Sequence, residues 1–139
     1  MKRFVLDASV ALRWFLDRTV PGYAIQVRQM MLSGARAFVP ALWHLEMVNG
    51  LIIAERRGIL ASADVDRGLT DIDKLLAASF ETDSELVPAR AASALARAFR
   101  LSAYDAVYLD LARREGLPLA TLDEKLKAAA PQAGVKLVR

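Results

Sequence analysis

The sequence predicts an α/β fold in which a central, mostly parallel sheet of about four or five short strands is flanked by helices on both faces. Three observations lead there. Short runs of strand-forming residues recur along the chain, stretches with helical apolar spacing lie between them, and glycine or proline stands at most of the junctions. With 139 residues, the chain has the length of one compact domain, residues 1–139, with a genuine core.

The apolar run Arg3 to Leu6 reads as the first strand. Asp7 follows it, and Ala8 to Leu16 continues with the period of a helix. A second helix runs from Pro21, a first-turn proline, through Ile25, Val27, Met30 and Met31 to a cap at Gly34. Ala37 to Pro40 is a short strand stopped by proline. Ala41 to Arg57 is helical and ends at Gly58, with Arg56 and Arg57 placed against the C-terminal dipole. A helix from the cap Ser62 to Ser79 follows, and the two can form a hairpin. Glu85 to Val87 reads as a strand, and Pro88 opens an alanine-rich helix to about Phe99. Ser102 to Glu115 is a helix closed by Gly116. The strand Leu117 to Leu122, a small helix Asp123 to Ala129 and a last strand Val135 to Val138 complete the chain.

Composition narrows the chemistry. The chain has no cysteine, which excludes disulfides, thiolate metal sites and thiol catalysis, and its single histidine, His44, excludes imidazole pairs. No glycine-rich phosphate cradle and no serine-hydrolase elbow is present. The N-terminal apolar stretch is too short for a secretory signal, and the most apolar helix is too short to span a bilayer, so a cytoplasmic protein without membrane association is expected. Mean hydropathy is +0.25 with 55% hydrophobic residues, which leads us to expect that a second copy or a partner covers part of the surface. The formal net charge of +3 and the sequence pI near 9.5 suit a polyanionic substrate.

Four acids stand in positions awkward for carboxylates. Asp7 ends an apolar strand, Glu46 lies in an apolar helix, Asp105 opens a helix and Asp123 ends another strand. Each has an ordinary explanation. Asp7 can cap the helix that follows it, and Glu46, in line with Leu42, Trp43, Asn49, Gly50 and Ile53, can serve an interface. Ser102 and Asp105 have capping-box spacing. Thr121 and Glu124 can form a box of their own, which leaves Asp123 free to face the strand ends. Taken together, four carboxylates on one sheet edge would repel strongly and would call for divalent cations. All-oxygen ligands suit Mg²⁺ or Mn²⁺ rather than zinc. Asp110, five residues beyond Asp105, falls on another helix face and reads as surface.

Four segments carry a resemblance to a known family. They are Val5 to Val10 around Asp7 and Ser9; Pro40 with Glu46 and Asn49; Leu101 to Leu109 around Asp105 and Tyr108; and Leu119 to Leu126 around Thr121 and Asp123. In this order the chain resembles the PIN-domain ribonucleases, specifically the VapC-type toxins of bacterial toxin-antitoxin systems. The resemblance implies a PIN-like fold and metal-dependent hydrolysis of RNA by an acidic Mg²⁺ or Mn²⁺ site. It makes Asp7, Glu46, Asp105 and Asp123 the metal-binding quartet, supported by Ser9, Asn49 and Thr121. It also implies a homodimer and a cognate VapB-type antitoxin. One departure is visible, since many relatives carry asparagine or another acid where Thr121 stands. Arg13, Arg36, Arg97 and Arg100 are candidates for phosphate contacts.

Two readings compete from other classes. A non-catalytic RNA- or protein-binding copy of the fold would be expected to have lost some of the acids. A phospho-acceptor receiver domain would carry paired acids after its first strand, where this chain has Asp7-Ala8-Ser9. A DNA substrate would keep the same chemistry.

Overall fold

The computed structural model describes residues 2–139. Its elements, in chain order, are β1 (Arg3–Leu6), α1 (Ala8–Leu16), α2 (Gly22–Leu32), β2 (Arg36–Pro40), α3 (Leu42–Arg56), α4 (Ser62–Ser79), β3 (Phe80–Asp83), α5 (Ala89–Phe99), α6 (Ala103–Glu115), β4 (Leu119–Ala120) and α7 (Glu124–Gln132). The four strands form one parallel sheet in the order β3-β2-β1-β4.

That order determines where a ligand can sit. From β1 the chain steps to β2 and then to β3 in one direction, and it returns across the sheet to place β4 on the other side of β1. Right-handed crossovers put α1 to α4 on one face, and the return puts α5 and α6 on the other. The strand order therefore reverses between β1 and β4, and the crevice beyond their carboxyl ends is where such sheets bind ligands. Asp7 follows β1 directly, and Thr121 follows β4 directly. The Asp7 amide donates to Ala120 O at 3.0 Å, which fixes the two strand ends in register.

β1 is apolar throughout its last three positions because helices cover both faces of it. Phe4, Val5 and Leu6 are fully buried with Leu119 and Ala120 of β4, Trp43, Met47 and Leu51 of α3, and Tyr108, Leu109 and Leu111 of α6. Gly50 lets α3 approach α1, since a Cβ there would lie 2.5 Å from Leu12 Cδ2.

Several boundaries differ from the sequence reading. The third strand is Phe80–Asp83 rather than Glu85 to Val87. Phe80 is buried against Trp43 and pairs with Ala37 of β2, whereas Leu86 is 94% exposed and lies outside the described strands. The expected last strand, Val135 to Val138, contracts to a single bridge between Leu119 and Leu137. The strand expected over Leu117 to Leu122 contracts to Leu119–Ala120. α4 is capped from Ala61, whose amide donates to Asp64 Oδ2 at 2.9 Å, and Ser62 is its first helical residue.

Candidate metal centre

Asp7 occupies the cap position of α1 but makes no side-chain cap bond to that helix. Its carboxylate is held sideways instead. Ser9 Oγ and Thr121 Oγ1 both donate to Asp7 Oδ2, each at 2.7 Å. Ser9 Oγ also accepts from the Leu122 amide at 3.0 Å, and Thr121 Oγ1 from the Asp123 amide at 3.0 Å. Two hydroxyls thus stitch the end of β1 to the segment after β4 and orient one carboxylate oxygen. Asp7 is nearly sealed from solvent, and burial raises its pKa, with the repulsion of Asp123 adding to the rise and the two hydroxyl bonds opposing it.

Glu46 flanks the innermost line of α3, which is Trp43, Met47, Leu51 and Ala54. It is half-buried, and Tyr108 Oη donates to its Oε1 at 2.5 Å, tying α3 to α6. Burial raises the Glu46 pKa, the Tyr108 bond lowers it, and the charges of Asp7 and Asp105 raise it further. Tyr108 itself is buried beside the negative charges of Asp7 and Glu46, so its phenol stays protonated and acts as a donor.

Ser102 caps α6 by accepting from the Asp105 amide at 3.0 Å. Among the described residues the reciprocal bond of the expected capping box, from the Ser102 amide to the Asp105 carboxylate, does not form. The Asp105 pKa is raised by burial first, then by Asp123 and Asp7, with the Ser102 hydroxyl and then Lys125 opposing. Asp123 departs from expectation. It caps α7 itself, with Oδ1 accepting from the Leu126 amide at 2.9 Å. Thr121 is engaged by Asp7, so the proposed Thr121–Glu124 box does not form.

The four predicted acids therefore gather near the carboxyl ends of β1 and β4, where the three aspartates feel one another's charge and Glu46 feels Asp7 and Asp105. Among the described residues no Lys or Arg forms an ion pair with any of them. Nor do three of the acids close into a ready-formed cation cage. The donor chemistry nevertheless fits a hard divalent cation, because a half-buried, all-carboxylate cluster without a salt-bridge partner is the environment such a cation relieves.

The supporting residues divide. Ser9 and Thr121 are in the network, while Asn49 is exposed and lines an apolar groove with Leu42, Leu45, Glu46, Val48, Ile52 and Tyr104. The residue that holds Glu46 is Tyr108, not Asn49. Nothing in the helical spacing distinguished Tyr108 from a core aromatic; only the folded chain brings its hydroxyl to Glu46. Arg13 is paired with Asp17, and Arg36 lies at the opposite sheet edge with Glu81 and the Phe80 carbonyl, so neither reaches the acids. Arg97 and Arg100 remain, both exposed on or after α5. Asp110 bonds Arg114 on the surface, as expected, and His44 bonds Thr82 Oγ1 at 2.9 Å.

Comparison with known proteins bears on this arrangement. Residues 4–131 match the PIN domain family. Over 132 residues the chain is 30% identical to a protein named Ribonuclease VapC3 in two strains of Mycobacterium tuberculosis, covering 95% of this chain and 90% of the relative. Among solved structures, PAE2754 from Pyrobaculum aerophilum shares the fold with a TM-score of 0.69 and 23% identity, covering 92% of this chain and 84% of the other. FitAcB from Neisseria gonorrhoeae gives a TM-score of 0.66 at 16% identity, covering 98% of this chain and 96% of its own.

Proposed function

The chain belongs to the PIN-domain family, and on that footing we propose that it is a metal-dependent endoribonuclease acting as the toxin of a VapBC-type toxin-antitoxin pair. The observation that carries the reading is the cluster of Asp7, Glu46, Asp105 and Asp123 over the strand ends, with three of the four pushed toward protonation by burial and mutual repulsion. The relative named as a ribonuclease supplies the reaction class.

Asp7, Asp105 and Asp123 would hold Mg²⁺ or Mn²⁺, with Glu46 ligating or orienting beside them. A divalent cation in such a site supplies neutralisation of the charge that builds on a phosphate under attack and makes nearby water more acidic. Ser9 and Thr121 keep Asp7 from turning onto the helix behind it. Tyr108 occupies Glu46 Oε1, leaving Oε2 to accept a hydrogen bond from the attacking water. Water adds to phosphorus, the ester oxygen leaves with a proton, and two RNA fragments result.

The whole chain, residues 1–139, acts as one domain in the cytoplasm in this reading. No described helix is long and apolar enough to cross a membrane. Leu45 and Val48 are exposed on α3, and Tyr104 is exposed beside them on α6. This apolar groove beside Glu46 suits cover by a second copy or by a VapB-type antitoxin. The test is cleavage of cellular RNA by the purified, antitoxin-free chain with Mg²⁺ or Mn²⁺, with chelator, and with Asp7→Asn and Asp105→Asn. Fragments that require metal and both aspartates are expected. Cleavage that survives either substitution, or a folded protein inert with both metals, overturns the reading.

A further inference from the structure

The segment joining α5 to α6 contains a local conflict that the acidic cluster does not explain. Arg100 closes α5 in the left-handed conformation, with φ 55° and ψ 45°, and it is the single non-glycine residue with positive φ among the described residues. Side chains disfavour this conformation because Cβ crowds the following carbonyl. The equivalent position after α6 is occupied by Gly116, with φ 63°. The turn at Arg100 is needed, since Leu101 N–H must reach back to Ala96 O to bring the chain to the Ser102 cap. An arginine there is not.

A second conflict faces it. Lys125 lies in the first turn of α7, the end of a helix where the dipole disfavours a cation. Phe99, Arg100, Lys125, Ala128 and Gln132 line one concave pocket between α5 and α7. Neither cation pairs with a carboxylate among the described residues; Glu124, the acid beside Lys125, bonds Lys127 instead. The pocket adjoins the acidic cluster, because Lys125 is felt by Asp105 and Arg100 stands two residues before the cap of α6.

Two cations held against local preference, unpaired, in one pocket beside the acids point to an anionic ligand that reaches both places. We propose that Arg100 and Lys125 form the subsite that grips a backbone phosphate of the RNA strand flanking the phosphate to be cut. This rests on the nuclease reading and adds to it where the strand runs: from the acids across the cleft between α5 and α7. The arginine offers a planar fork for phosphate oxygens and the lysine a point charge.

The test uses Arg100→Gly and Lys125→Gln in the full chain. Cleavage of a mixed-sequence single-stranded RNA is measured with Mn²⁺, and binding of the same end-labelled RNA is measured in an Asp7→Asn background over a salt series. Arg100→Gly should melt at or above the wild-type temperature, since it relieves the strained backbone. Each substitution should raise KM several-fold with kcat little changed, and each should lower the slope of log affinity against log salt by about 0.7. Arg100→Gly with unchanged affinity and slope overturns the subsite while leaving the nuclease standing. So does a lowered melting temperature with unchanged affinity, which would make Arg100 a helix-closing residue. Absence of RNA binding by the Asp7→Asn protein also overturns the subsite. Failure of the wild type to cleave any RNA is the separate result that overturns the nuclease reading.

Discussion

Substituting Asp7→Asn should abolish cleavage and at the same time stabilise the fold in chelator. Asp7 is 4% exposed, and burying an ion costs several kcal/mol. The hydroxyls of Ser9 and Thr121 return about 1.5–3 kcal/mol each as bonds to a charged acceptor. The raised pKa of Asp7 says that burial wins over these bonds, with Asp123 adding repulsion. An asparagine of the same shape keeps an oxygen for both hydroxyls and removes the buried charge. The expected gain is about 0.5–2 kcal/mol, as for other substitutions that relieve a strained functional site, or a rise in Tm of roughly 2–8 °C for a chain of this size. The pH dependence has a definite sign. A carboxyl whose folded pKa is raised contributes stability that is fully present below its unfolded pKa and is lost as pH climbs through the folded value. The stability gap between Asp7→Asn and wild type should therefore be widest at neutral pH and should narrow as pH falls into the carboxylate range. Thermal and urea denaturation with chelator over this range would measure it. An Asp7→Asn protein that melts below wild type at neutral pH would refute the argument and make Asp7 an ordinary structural acceptor.

Three further outcomes follow from the same geometry. Adding Mn²⁺ should raise the Tm of the wild type, by the equivalent of about 2.7 kcal/mol at a hundred times Kd, and should leave Asp7→Asn nearly unmoved; equal shifts in both would place the metal elsewhere. Tyr108→Phe removes the donor to Glu46; it should cost about 1 kcal/mol in stability and raise the Mn²⁺ concentration needed for binding by calorimetry and for cleavage alike. Thr121→Val breaks the bond to Asp7 and strips the Asp123 amide of its acceptor, so urea denaturation should show a loss of about 1–3 kcal/mol, with Thr121→Ser recovering most of it.

The candidate acids could be picked out along the chain because they violate local rules. A carboxylate inside an apolar helix or at the end of a buried strand is costly wherever the chain folds, so Asp7, Glu46, Asp105 and Asp123 stand out before any contact is known. The alternation of strands and helices likewise carried the fold class, and Gly58 and Gly116 marked two helix ends. Short strands were less legible. Phe80–Asp83 and Glu85 to Val87 have similar local character, and which of them joins the sheet depends on pairing with β2 and on contact with Trp43. Local sequence contains neither.

By itself the sequence determined the α/β class and singled out the four acids as candidates, because residue type and period are local properties. The tertiary structure alone decided the partnerships. The placement of α3 and α6 on either side of the sheet brought Tyr108 to Glu46, separated by 62 positions in the chain. The register of β1 against β4 brought Thr121 to Asp7 across 114. The folded chain also turned Asp123 into a cap, committed Arg13 and Arg36 to other carboxylates, and placed Arg100 and Lys125 in the lining of one pocket. Charge and shape decide what a residue can do, but hydrogen bonds and ion pairs act over a few ångströms, and only the folded chain sets which groups come that close.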